Sequence, residues 1–178
     1  MINVCTLADQ NFTLRFLALR ESIKKYTSDF TINLLCLDDK IYKTISSNYD
    51  DVKCHNIKDL IDKDPDLKKA QFNKPSYEAL NLYKNDIDSA RRMQFIWSLA
   101  SYYSWFCLFK EGLEDVVYVD ADIYFFDDPL KITDFRDFGS IGIIENRVPY
   151  SPVNGKYNVG IIYCLLYTSP SPRDRQKS

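Results

Sequence analysis

The stretch Val116 to Pro129, VVYVDADIYFFDDP, constrains this chain more than any other. Val116, Val117, Tyr118 and Val119 form a short apolar run rich in β-branched residues, the pattern of a strand buried in a parallel sheet. The run stops at Asp120, and Asp122 follows with only Ala121 between. Two carboxylates therefore stand at the carboxyl end of a buried strand, where open α/β sheets bind their ligands. Holding two like charges that close is costly unless a cation compensates. The simplest partner is a hard divalent ion, Mg²⁺ or Mn²⁺, itself holding a phosphate. The small side chain of Ala121 leaves room for a ligand to approach.

The residues before this stretch supply the sheet it needs. Ile2 to Leu7 reads as a buried strand, and Phe12 to Tyr26 has helical spacing with Phe12, Phe16, Leu19 and Ile23 on one face. Thr31 to Leu37 is a second buried strand, stopped by Asp38 and Asp39, and a helix is expected over Lys40 to Ser47. Val52 to Ile57 is a weaker third strand. This β-α-β-α-β start predicts a parallel sheet with right-handed crossovers. Lys58 to Asp86 is polar, with Pro65 and Pro75, and reads as short helical pieces and loops. Asp88 to Lys110 is a long apolar helix expected to be buried on most sides. After the acid pair, Asp127-Asp128-Pro129 is a turn and helix start. Ser140 to Glu145 and Tyr157 to Tyr163 are two further strands, and the loop between them holds Pro149, Pro152 and Gly155.

Composition excludes several alternatives. The net charge of −2 gives no basic field for nucleic acid. No Gly-rich phosphate loop occurs among the five glycines, so a bound phosphate would depend on a metal. The five cysteines include no CxxC pair, and three lie in apolar strand-like runs, which suits free thiols in a reducing compartment. No signal peptide is expected, since Asn3 and Asp9 interrupt the start. Met93 to Phe109 is uncharged, but it is short for a membrane span and carries Gln94 and three serines.

The last fifteen residues, CLLYTSPSPRDRQKS, have two prolines, three basic residues and no periodicity. They resemble translated sequencing-adaptor sequence. Residues 1–163 are then the folded domain, with a charge of −4, and residues 164–178 a non-native disordered tail. A natural disordered tail is the other reading of the same composition.

Four segments, taken in order, carry a resemblance: INVCTLADQNF, LLCLDD, VVYVDADIYFF and GKYNVGIIY. With them the chain resembles the nucleotide-sugar glycosyltransferases of the GT-A fold, particularly family 8-like and related bacterial cell-envelope glycan transferases. The resemblance implies a Rossmann-like α/β fold, with a mostly parallel central sheet flanked by helices and the C-terminal part missing. It implies transfer of a sugar from a nucleoside diphosphate donor, with UDP foremost, to a hydroxyl of a glycan or lipid-linked acceptor. It also implies a cytoplasmic location, at the inner face of the membrane through peripheral association.

Carried over residue by residue, Asp122 is the direct ligand of Mn²⁺ or Mg²⁺, and Asp120 binds the metal or the donor ribose. Ala121 lies between them. The loop from Thr6 to Phe12 matches the nucleoside-binding loop: backbone at Thr6 and Leu7 for the base edge, Asp9 for ribose or base, Phe12 for stacking. Asp9 reads equally as a helix N-cap, and the helical spacing favours core packing for Phe12. Asp38 would accept from the base N–H or form a turn. Arg91 matches a basic position near the diphosphate or donor sugar. Asn158 and Gly160 match an Asn-x-Gly element beside donor and acceptor, where a strand glycine permits close backbone approach.

Two departures stand against the family pattern. Its third metal ligand is a His from a later segment, whereas the one histidine here, His55, lies on the third strand and reads as structural. No general base is identifiable either. The rival readings are a haloacid dehalogenase-type phosphatase with Asp120 as nucleophile, and a non-catalytic sugar- or nucleotide-binding module. The phosphatase family places its acid pair on the first strand, not after three.

Overall fold

The computed structural model describes residues 1–137, 139–146 and 156–166. Among these residues six strands form one sheet: β1 (Ile2–Ala8), β2 (Phe30–Cys36), β3 (Val52–Asn56), β4 (Asp115–Val119), β5 (Ile141–Glu145) and β6 (Tyr157–Leu165). Their spatial order is β3-β2-β1-β4-β6-β5. The first four run parallel, whereas β6 is antiparallel to β4 and to β5. The expected mixed α/β architecture is therefore present, and every expected strand is found.

β4 is buried along its whole length because helices cover both of its faces. Val117 and Val119 point into one core, with Phe16, Leu19 and Ile23 of α1 (Thr13–Lys24) and Ile41 and Ile45 of α2 (Asp39–Asn48). Val116 and Tyr118, one step out of phase, point into the other core with Leu99, Tyr103 and Cys107. These last three lie on α6 (Ile87–Phe109), which packs across β1 and β4. Asp115, at the buried start of β4, is bonded by Asn3 Nδ2 at 3.1 Å and by the Tyr163 hydroxyl at 3.0 Å.

Three expectations are corrected. α6 is not buried on most sides: its sheet-facing stripe is covered, while Trp97, Trp105 and Phe109 are exposed. The helix lies on the sheet's surface, so only one stripe can be covered. Phe12 is not in α1. It ends a 3-10 turn (Gln10–Phe12) before the helix, and its ring is exposed. β6 runs past Tyr163, because Cys164 and Leu165 pair with Val116 and Asp115. Leu166 then donates its N–H to Glu114 O at 2.8 Å. The proline-bearing loop and the sequence from Tyr167 onward lie outside the described residues.

The polar stretch after β3 folds into α3 (Ile57–Lys63), α4 (Pro65–Ala70) and α5 (Tyr77–Leu82). Each has a side-chain cap: Asn56 accepts from Lys58 N–H, Asp64 from Asp66 and Leu67, and Ser76 from Ala79. Among the described residues, no helix is long and apolar enough to cross a membrane.

Candidate functional site

A cavity of about 440 Å³ opens at the carboxyl end of β1 and β4. One wall is the acid pair with its spacer: Asp120, Ala121 and Asp122. A second wall is the end of β1 and the turn after it, with Leu7, Ala8, Asp9 and Phe12. The third is a face of α6, with Met93, Ile96, Trp97 and Ala100. Leu37, Tyr118 and Val159 complete the lining.

The two acids differ in setting. Asp120 is held closely: its N–H donates to Gly160 O at 2.8 Å, and its Oδ1 accepts from the Tyr118 hydroxyl at 2.8 Å. Its Oδ2 lies beside Gly160, where an added Cβ would stand only 3.2 Å away. Burial pushes the Asp120 carboxyl above its ordinary pKa; the Tyr118 bond lowers it, and the Asp122 charge raises it further. Asp122 is half-exposed, with Arg15 Nη1 at 3.8 Å from its Oδ2. Arg15 also lies over the Phe12 ring, 4.6 Å from its centroid. With both partners solvated, the Arg15–Asp122 pair is weak and leaves Asp122 able to take another partner.

This donor set fits a divalent cation. Two carboxylates lining one cavity are the hard oxygen ligands that Mg²⁺ or Mn²⁺ takes from protein, with phosphate and water filling the other positions. The bare Cα of Gly160 leaves the space that a side chain would fill beside Asp120. Among the described residues, no group of three His, Cys, Asp or Glu side chains could hold a metal. His55 is engaged elsewhere, with Nδ1 at 2.7 Å from the Tyr103 hydroxyl and Nε2 at 3.2 Å from Glu111 Oε1.

The other expected site residues divide. Leu7, Asp9 and Phe12 line the cavity, and Asp9 also caps the 3-10 turn, accepting from Asn11 and Phe12 N–H. Of the two readings of Asp9, the cap is the one observed, and the carboxylate also lies in the cavity wall. Thr6 is buried beneath the wall, and its Oγ1 has no hydrogen-bond partner among the described residues. Asp38 is a clamp rather than a wall. It caps α2 through Lys40 and Ile41 N–H, and it accepts Gln10 N–H at 2.7 Å, tying the two loops together. Burial raises its pKa, but the bonds from Ile41, Gln10 and Lys40 outweigh this and hold the carboxyl below its ordinary value. Asn158 Oδ1 accepts Gly160 N–H at 2.8 Å and so braces the glycine next to Asp120. Arg91 is not brought to the acid pair. Its Nη1 bonds Asp88 at 3.0 Å, and it lines a separate cavity of about 60 Å³ with Asn73 and Gln94.

Sequence reasoning missed the α6 wall, Tyr118 and Arg15. The signal for the wall was present: Met93, Ile96, Trp97 and Ala100 are spaced i, i+3, i+4, i+7. Arg91 sits two residues before Met93, which turns it about 200° away at a helical period of 3.6.

No family model matches this sequence. It is 21% identical over 167 residues to the uncharacterized protein YfnD of Bacillus subtilis, covering 88% of this chain and 47% of YfnD. The chain thus spans about half the length of that relative. Among solved structures it superposes on mouse xyloside xylosyltransferase 1 with a TM-score of 0.63 at 12% identity, covering 93% of this chain and 67% of that one. The galactosyltransferase LgtC, in complex with donor and acceptor sugar analogs, matches with a TM-score of 0.53 at 13% identity, covering 93% and 58%. The glycosyltransferase GlyE of Streptococcus pneumoniae matches with a TM-score of 0.52 at 17% identity, covering 99% and 37%. This chain has the fold of the GT-A nucleotide-sugar glycosyltransferases.

Proposed function

We propose that the chain is the nucleotide-binding part of a metal-dependent glycosyltransferase. It moves a sugar from a nucleoside diphosphate, UDP foremost, to a hydroxyl of a glycan or lipid-linked acceptor. The observation that carries this reading is the acid pair in the wall of an open cavity, at the carboxyl end of the central buried strand. Ligand binding at that end of an α/β sheet is the rule, and the two carboxylates suit a cation that in turn suits a diphosphate.

Asp120 and Asp122 would hold Mn²⁺ or Mg²⁺. A bound divalent cation supplies positive charge to the oxygens of the departing nucleoside diphosphate as the glycosidic bond breaks. The chain's own residues do the rest of the binding. Phe12 offers a ring to the nucleoside, Leu7 and Ala8 close the pocket beneath it, and Asp9 offers a carboxylate to the ribose or base. The apolar α6 wall excludes water from the other side. Arg15 stands near Asp122 and can pair with phosphate oxygens.

Five free cysteines support a cytoplasmic setting. The exposed Trp105 and Phe109 of α6 support a peripheral contact at the membrane surface, where a lipid-linked acceptor would lie.

Thermal unfolding of the chain with UDP, with and without Mn²⁺, tests the reading. UDP with Mn²⁺ raises the midpoint, either component alone raises it less, and Asp122→Ala removes the joint effect. If no nucleoside diphosphate stabilises the protein in an Mn²⁺-dependent way, the reading is wrong.

A further inference from the structure

We infer that Tyr118 is a positioning residue, whose hydroxyl occupies Oδ1 of Asp120 so that Oδ2 alone is offered to the cation and donor. The inference rests on the reading of Asp120 and Asp122 as ion ligands. It adds a residue to that site and a binding mode for the first acid.

Two hydrogen bonds and one gap define how Asp120 is held. The backbone N–H is bonded to Gly160 O at 2.8 Å. Oδ1 is bonded by the Tyr118 hydroxyl at 2.8 Å. Oδ2 is on the side of Gly160, where only the missing Cβ leaves room. A carboxylate only accepts, so the tyrosine must be the donor. Strand alternation puts Tyr118 and Asp120 on the same side of β4, the side facing α6. The Tyr118 ring is 3% exposed and packs in the core with Cys5 and Leu99. A phenylalanine would fill that core equally well. The hydroxyl therefore has a role that packing does not require.

The consequence is selectivity between ions. Small ions with strict octahedral geometry take single carboxylate oxygens, whereas larger Ca²⁺ readily takes both oxygens of one carboxylate. With Oδ1 engaged by Tyr118, Asp120 serves the first kind of ion and denies Ca²⁺ its second oxygen.

The test is Tyr118→Phe in the 178-residue chain. Mn²⁺ binding in the presence of UDP is titrated by the loss of the free-ion electron paramagnetic resonance signal, Ca²⁺ is measured by competition, and unfolding is followed without ions. The Mn²⁺ dissociation constant rises about tenfold, the usual effect of losing a bond to a metal-ligating group. The Ca²⁺ constant rises less, so the preference for Mn²⁺ falls, while the ion-free midpoint stays close to wild type. No loss for either ion shows that Tyr118 only fills space, and equal loss for both shows that its hydroxyl does not select between ions; either result overturns the inference. Absence of ion binding by the wild-type chain with UDP overturns the glycosyltransferase reading itself.

Discussion

Gly160→Ala separates the use of the site from the stability of the fold. The new Cβ would stand 3.1 Å from Asn158 Oδ1 and 3.2 Å from Asp120 Oδ2. Ordinary contacts begin near 3.4 Å, so each oxygen must move by a few tenths of an ångström. Both are side-chain atoms, and the strand backbone at this position needs no left-handed conformation. The folded protein without ligand can therefore accommodate the change. Replacing glycine also removes conformational freedom from the unfolded chain, worth about 0.4–1 kcal/mol in favour of folding. That works against the cost of crowding.

The liganded state has less latitude. Metal–oxygen distances tolerate about 0.2 Å, comparable to the displacement forced on Asp120. Disturbing the support of a metal ligand typically weakens binding 10–100-fold. Suppose UDP and Mn²⁺ are present at about 100 times the wild-type dissociation constant. The wild type then gains about 2.7 kcal/mol, and a tenfold weaker variant gains about 1.4 kcal/mol. For a domain of this size, 1 kcal/mol moves the midpoint by about 2–4 °C. The ligand-induced shift should fall from about 5–11 °C to about 3–6 °C. Differential scanning fluorimetry of both proteins, with and without UDP and Mn²⁺, reads all four midpoints. An unchanged ligand shift in Gly160→Ala would refute the idea that Asp120 Oδ2 is presented through the gap at Gly160. A ligand-free midpoint lowered by more than about 5 °C would show that the glycine serves folding instead.

Two further outcomes follow from contacts away from the acid pair. His55 is half-buried between Tyr103 and Glu111; burial holds its pKa below the ordinary value, against the pull of Glu111. The unfolded chain then binds a proton that the folded chain resists, so this contribution to stability is present at pH 7.5 and is lost as pH falls through and below about 6.5. Urea denaturation from pH 7.5 to 5.5 should show that loss in the wild type and a flatter profile in His55→Gln; matching profiles would remove His55 from the explanation. Asp38→Ala removes the α2 cap and the bond to Gln10 N–H, and should cost about 1–2 kcal/mol in denaturant titrations. Asp38→Asn, which keeps an accepting oxygen, should lose only a small part of that, and an equal loss in both variants would mean that the charge rather than the cap matters.

The parts of the fold that read correctly from the sequence are those governed by local pattern. β1, β2 and β4 are apolar runs closed by polar residues, and a parallel sheet buried on both faces demands that pattern. Tertiary geometry decides the rest. Phe12 and Phe16 occupy equivalent helical positions in the sequence, yet only Phe16 is buried, because the Asp9 cap opens a 3-10 turn and starts the helix one residue after Phe12. The same cap that interrupts the periodicity puts the ring at the cavity mouth. Arg91 fails in the opposite sense. Its charge drew attention to one end of α6, but which residues of a helix face a cavity is set by rotation about its axis, and Met93, Ile96, Trp97 and Ala100 hold that face. Tyr118 was hidden for a third reason. In a run of valines it reads as one more apolar residue, and its hydroxyl acquires meaning only once strand alternation sets it on the same side as Asp120. In each case the residue type was visible, and the direction of the side chain decided whether it joined the site. The two acids escaped this difficulty because the end of a buried strand fixes both their place and their outlook.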